Sequence, residues 1–170
     1  MSAPEKSKAR ISIKELCVLS LLAAIMFASQ VAFSAIPNIE LVSLLVIICT
    51  LIYRYKALYV IYVFVLLEGL MWGFGVWWIA YLYIWTVLWL VTMLFHKVKS
   101  TIFWTVVAAL YGLFFGLLTA FIQLFIGGPG AAIAYWVSGI PFDLLHCAGN
   151  AAVAIILFKP IHNLIRKIGT

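Results

Sequence analysis

Charge is what this sequence has least of. Only 9% of its 170 residues are charged, with five Asp and Glu against eleven Lys and Arg. Soluble domains carry about 25% charged residues, so a water-facing surface of ordinary extent is excluded. The phosphate-cradling pattern G-x-x-x-x-G-K-[ST] is missing, as are G-x-S-x-G and H-E-x-x-H. That removes a P-loop ATP site and two common hydrolase designs. No row of charges runs through the apolar stretches, as a proton pump or voltage sensor would need. Cys17, Cys49 and Cys147 lie in or beside apolar segments without metal-ligand spacing. They read as small buried hydrophobes, not as a disulfide framework. His96 and His162 have no further ligands at matching depth, so no metal site and no catalytic residue is assigned.

What remains is apolar: hydrophobic residues make up 67% of the chain. A helix needs roughly 20 such residues to cross a bilayer. The chain therefore reads as a single all-α integral membrane domain, residues 1–170, with six transmembrane helices. The expected spans run from about Ile13 to Ser34, Leu41 to Tyr53, Ala57 to Gly75, Trp77 to Phe95, Thr101 to Ile126 and Ala131 to Phe158. The polar lead runs into apolar sequence without a small-residue cleavage site, so the first span is expected to be retained. No internal repeat supports an inverted-repeat transporter.

The bases assign sides. All eleven Lys and Arg fall in the N-terminal lead (Lys6, Lys8, Arg10, Lys14), the turns at Arg54–Lys56 and Lys97–Lys99, and the C-terminal tail. Positive residues stay inside, so both termini are expected to be cytoplasmic. The outer connections are then Ser34–Glu40, Gly73–Val76 and Gly127–Gly130.

Small residues mark close approaches between helices. Ala24, Ala28 and Ala32 form one fourfold-spaced stripe on the first span, and Gly112 and Gly116 a second on the fifth. The alanine stripe suits either the chain's own helices or docking of another membrane protein.

Polar residues inside the apolar segments are few. Asp143, His146 and Asn150 share one helical face within Gly139–Asn150, where Pro141 is expected to kink the helix. An ionisable group at bilayer depth costs roughly 2.5–3.5 kcal/mol on insertion scales unless it faces protein or a polar cavity. Asp143 reads as either an interhelical hydrogen-bonding group or a ligand neighbour, and His146 and Asn150 as groups that hold the bundle together. Toward the outer side lie Asn38, Glu40, Glu68, Gln30 and Gln123, with Trp72 one turn beyond Glu68. Trp78, Tyr81 and Trp85 share a face at i, i+3 and i+7 and form an aromatic wall suited to a flat or bulky ligand. Tyr135 and Trp136, at the outer start of the sixth span, complete the expected binding set. Trp77 and Trp78 also fit an interfacial aromatic belt.

The spans, the alanine stripe, the Pro37-containing first outer connection and the phrase WVSGIPFDLLHCAGNAAVAIILFKPI together resemble the substrate-binding S component of energy-coupling factor (ECF) vitamin transporters. The segments AIPNIELVSLL and EGLMWGFGVWWIAYLYIW resemble a cobalamin-specific subgroup. The resemblance implies a prokaryotic cell-membrane protein that binds a vitamin in its outer half, gated by Ser34–Glu40. It implies docking through Ala24, Ala28 and Ala32 onto a transmembrane coupling subunit with two ATPase subunits, which carry the ATP. This chain itself would hold no cofactor, and Gly73 and Gly75 would make room for a corrinoid ring. Uptake of another vitamin such as riboflavin or pantothenate, a standalone permease, and an intramembrane enzyme using Asp143 and His146 are the competing readings.

Overall fold

The computed structural model describes residues 11–36 and 38–169. Pro37 and the bases Lys6, Lys8 and Arg10 lie outside the described residues. The helices are α1 (Ile13–Phe33), α2 (Val42–Tyr53), α3 (Ala57–Trp72), α4 (Val76–Leu94), α5 (Thr101–Leu113) and α6 (Phe115–Gly169), with a 3₁₀ turn at Arg54–Lys56. No strand occurs among the described residues. Four helical runs, Ile13–Phe33, Val42–Trp72, Val76–Leu94 and Thr101–Ile168, are long and apolar enough to cross a membrane.

Two of these runs are broken by backbone geometry. Arg54 takes φ 55°, ψ −121° between α2 and α3, and Gly128 takes φ 78°, ψ −175° within α6. Glycine reaches positive φ without steric cost, and Pro129 behind it suits the first turn of the helix that follows. The expected turn at Gly127–Gly130 is thus a single-residue break. Helical dihedral angles continue through Pro141, and Gly128 is the residue of α6 where they fail. The last helix also passes Phe158 and Pro160 to reach Gly169. The expected fifth span is interrupted at Phe114. Gly73 (φ 89°) caps α3, and a Cβ on Gly75 would meet the Trp77 ring at 3.0 Å, so these glycines build the α3–α4 turn.

Around Gly128 the chain doubles back, and the two arms pack antiparallel. Ala108 is paired with Asn150, Gly112 with His146 and Gly116 with Asp143. Asn150 Nδ2 donates to the Ala108 carbonyl (3.2 Å), and Gly116 N donates to Asp143 Oδ1 (2.8 Å). A Cβ on Gly112 would sit 2.8 Å from the His146 carbonyl oxygen, and one on Gly116 would collide with the Asp143 carboxylate. The glycine pair of the fifth segment therefore serves this hairpin.

Helix α2 occupies the centre. Every residue from Val42 to Thr50 is buried, as expected for a helix apolar on all sides. Against it pack Phe64, Ile84, Trp85, Leu88 and Trp104. α1 contributes Leu19, Leu22, Ala23 and Met26 to this core, leaving Ala24, Ala28 and Ala32 exposed on its outer side. Cys17 is exposed too, contrary to its reading as a buried hydrophobe, whereas Cys49 is buried. The basic turns gather at one end. Lys56 binds both carboxylate oxygens of Glu15 at 2.7 Å, and Arg54, Lys99 and Lys159 border the same cavity.

Replacing Gly112 with Val should lower stability by about 1–3 kcal/mol, because overpacking a close crossing forces backbone shifts. Gly139, whose Cβ position meets nothing within 4 Å, should accept Ala with no loss, or with a gain of roughly 0.5–1 kcal/mol. Thermal unfolding of both variants in detergent checks this. Equal behaviour of the two would contradict the hairpin packing.

Candidate binding site beneath the α1–α2 connection

The site starts from a length problem. With 12 residues, α2 is about 18 Å long at 1.5 Å per residue, shorter than the roughly 30 Å of a hydrocarbon core. The connection before it enters the bundle. Glu40 bonds to His146 and shares a cavity lining with Trp85, which lies near the middle of α4, and with Phe115. Asn38 adopts φ 58°, and its carbonyl oxygen would lie 3.0 Å from a Cβ on Gly149. Gly149 is thus the notch in α6 over which the connection passes, and Asn tolerates left-handed backbone better than most residues.

Glu40 is only 8% exposed, and both of its oxygens are engaged. Oε2 accepts from Ser43 N (2.8 Å), capping the first turn of α2. Oε1 accepts from His146 Nε2 (3.2 Å). A carboxylate at a helix N-terminus also complements the helix dipole. Glu40 is therefore a cap of the central helix.

Below the connection lies a cavity of about 170 Å³, bordered by Gln30, Asn38, Glu40, Tyr81, Trp85 and His146 among others. The rings form a continuous wall. Trp85 lies 5.4 Å from Tyr81, 5.9 Å from Phe64 and 5.8 Å from Phe115, and Phe115 lies 4.9 Å from His146. Edge-to-face arrangements of this kind hold ring orientations. Trp85 Nε1 and Ser43 Oγ are buried without a hydrogen-bond partner among the described residues. Of the two residues only Trp85 borders the cavity; a buried polar atom left unpaired costs about 1–3 kcal/mol, so a ligand that accepts from Trp85 Nε1 would gain from satisfying it.

The residues expected to bind a ligand divide into groups. Asn38, Glu40, Tyr81 and Trp85 converge on the cavity. Glu68 is 3% exposed on α3, off the cavity lining, with Oε1 unpartnered among the described residues. Trp78 instead ties α4 to α3, donating from Nε1 to the Val65 carbonyl (2.8 Å). Asp143 is occupied as a clasp to Gly116. Trp72 and Tyr135 are 53% and 44% exposed and face away from the cavity, and Gln123 does not border it. Trp136 lines a separate apolar groove with Tyr83 and Phe121. His146 is the main revision, since it lines the cavity as well as holding helices. The descent of the connection, not any rise of His146, brings the two together. Phe115 carried no sequence signal, being one apolar residue in a long apolar run. No group of three or more His, Cys, Asp or Glu suited to a metal ion occurs among the described residues.

Comparison with known proteins yields no match to a family model, a curated protein or a solved structure.

Replacing His146 with Ala leaves a buried carboxylate without its partner and should cost about 3–5 kcal/mol. The double replacement Glu40→Gln with His146→Ala should cost less than the sum of the two single changes. Thermal unfolding followed by tryptophan fluorescence reads this cycle, and additive effects would show that the pair does not couple.

Proposed function

We propose that the chain is the membrane-embedded, substrate-binding S component of an ECF-type importer. It would capture a vitamin from outside a prokaryotic cell and deliver it with an ATP-driven coupling module. In this reading six segments cross the membrane, with the breaks at Arg54 and Gly128 dividing the longer runs. The basic end and both termini face the cytoplasm. The supporting observation is the cavity at mid-bundle, roofed by the connection and lined by an aromatic wall that includes Trp85, whose Nε1 is unpartnered among the described residues. Such a site suits an organic solute held by apolar contact and a few polar anchors. The exposed face of Ala24, Ala28 and Ala32 supports docking onto a transmembrane coupling subunit, because small residues let helices approach closely in lipid. Two ATPase subunits on that partner would supply the ATP hydrolysis.

Cobalamin is the first substrate candidate, on the resemblance of Glu68–Trp85 to the cobalamin-specific subgroup. The cavity size favours a second reading. Ligand pockets commonly enclose roughly 300–1,000 Å³, and about 170 Å³ admits only part of a corrinoid. A smaller vitamin such as riboflavin or pantothenate needs less movement of residues 34–41. Either ligand requires the connection to lift, which would open the Glu40–His146 pair.

The small molecule that copurifies with the protein, read by absorbance and mass, decides between them: a corrinoid spectrum supports cobalamin, and a flavin spectrum replaces it. Ala24→Trp and Ala28→Trp should leave ligand binding unchanged but abolish ATP-driven uptake in proteoliposomes containing the coupling module. Full-rate uptake by the purified chain alone would instead indicate a standalone permease.

A further inference from the structure

A cavity of about 920 Å³ lies at the opposite, basic end. Three separate elements supply its basic side chains: Arg54 and Lys56 from the α2–α3 turn, His96 and Lys99 from the α4–α5 connection, and Lys159, His162 and Arg166 from the last turns of α6. Among the described residues Glu15 is the one carboxylate on its lining, and Lys56 already holds both Glu15 oxygens at 2.7 Å. Arg54 and Lys99 face the same space.

Membrane proteins commonly collect bases on their inner side, where each side chain extends separately into water. Two features here differ from that arrangement. First, Arg54 holds φ 55°, a conformation costly for a residue with a Cβ, and Trp89 Nε1 fixes it by donating to the Arg54 carbonyl (3.1 Å). Second, Arg54 Nη1 is buried without a hydrogen-bond partner among the described residues. A buried guanidinium nitrogen is disfavoured unless something accepts its hydrogens. The wall around it is fixed as well, since Trp104 Nε1 donates to the Val98 carbonyl (2.9 Å) and holds the α4–α5 connection. Thr101, the first residue of α5, borders the cavity and brings the positive end of that helix to it.

We propose that this cavity binds a phosphate-bearing anion larger than a single phosphate, with Arg54 as its central contact and Lys99 as an outer one. The planar guanidinium fork matches phosphate oxygens two at a time, and lysines add point charges around it. Two sources offer this chemistry: a soluble polyphosphate group, or the headgroup of an anionic lipid. The site is independent of whatever the mid-bundle cavity binds.

The test uses the full chain purified in neutral detergent, titrated calorimetrically with inorganic pyrophosphate at fixed ionic strength. A second arm uses nanodiscs with and without phosphatidylglycerol, with retained lipid counted by native mass spectrometry. One saturable pyrophosphate site, weakened roughly tenfold by Arg54→Gln and by Lys99→Gln, supports the proposal with a soluble source. One anionic lipid retained per chain, and lost in the same variants without pyrophosphate binding, supports it with a lipid source. Lys99 is exposed, so its variant reads the site even if Arg54→Gln fails to fold. Binding that does not saturate, that is equal in wild type and Lys99→Gln, or that is absent in both arms overturns the proposal.

Discussion

The fold depends on one carboxylate. Glu40 stands where a connection enters an apolar bundle, and its two oxygens satisfy the first turn of α2 and the imidazole of His146. Without an acceptor there, the orphan N–H groups at the start of α2 would face hydrocarbon side chains, with no water to bond them. The central helix can be short because this cap is placed at depth. The cavity exists for the same reason, since the connection forms its roof.

The hairpin of α5 and α6 supplies the other half of the frame. Its two arms meet through small residues and two side-chain clasps, Asn150 to Ala108 and Asp143 to Gly116. His146 lies between those clasps, so the arm that carries it is fixed on both sides. Polar groups that looked like a reaction centre in the sequence thus share one structural task. His146 alone of the three also faces the cavity. The support behind His146 fixes one wall of the cavity beneath the connection.

Much of this order was legible in the sequence. Helical class and the breaks near residues 34–40, 54–56, 73–76 and 127–130 follow from apolar runs punctuated by Gly, Pro and clustered bases. The convergence of Asn38, Glu40, Tyr81 and Trp85 was partly legible, because the few polar and aromatic residues on an apolar helix tend to face inward. Depth was not legible. Hydropathy orders segments along the chain without saying how far a connection descends, so the Glu40–His146 contact has no sequence signal. One signal was available: the Leu41–Tyr53 segment is too short to cross a bilayer unaided, which implies that its flanks enter the bundle. The exposure of Trp72 and Tyr135 was not legible either. Aromatic residues serve equally at a ligand wall and on an apolar outer surface, and composition does not distinguish the two.

The position of α2 also bears on how the protein is made. Its cap joins residues 106 apart in sequence, and two of the helices enclosing it, α4 and α6, follow it in the chain. A ribosome delivers Val42–Tyr53 long before the partner of Glu40 exists. Through that interval the segment has neither its cap nor its full surroundings, and the interior closes only once the last helix arrives. Loops between distant residues close slowly because their entropy must be lost before their contacts form. The C-terminal third of the chain therefore acts as the closing step of biogenesis, and a truncation within α6 would remove the lock from a helix made near the beginning.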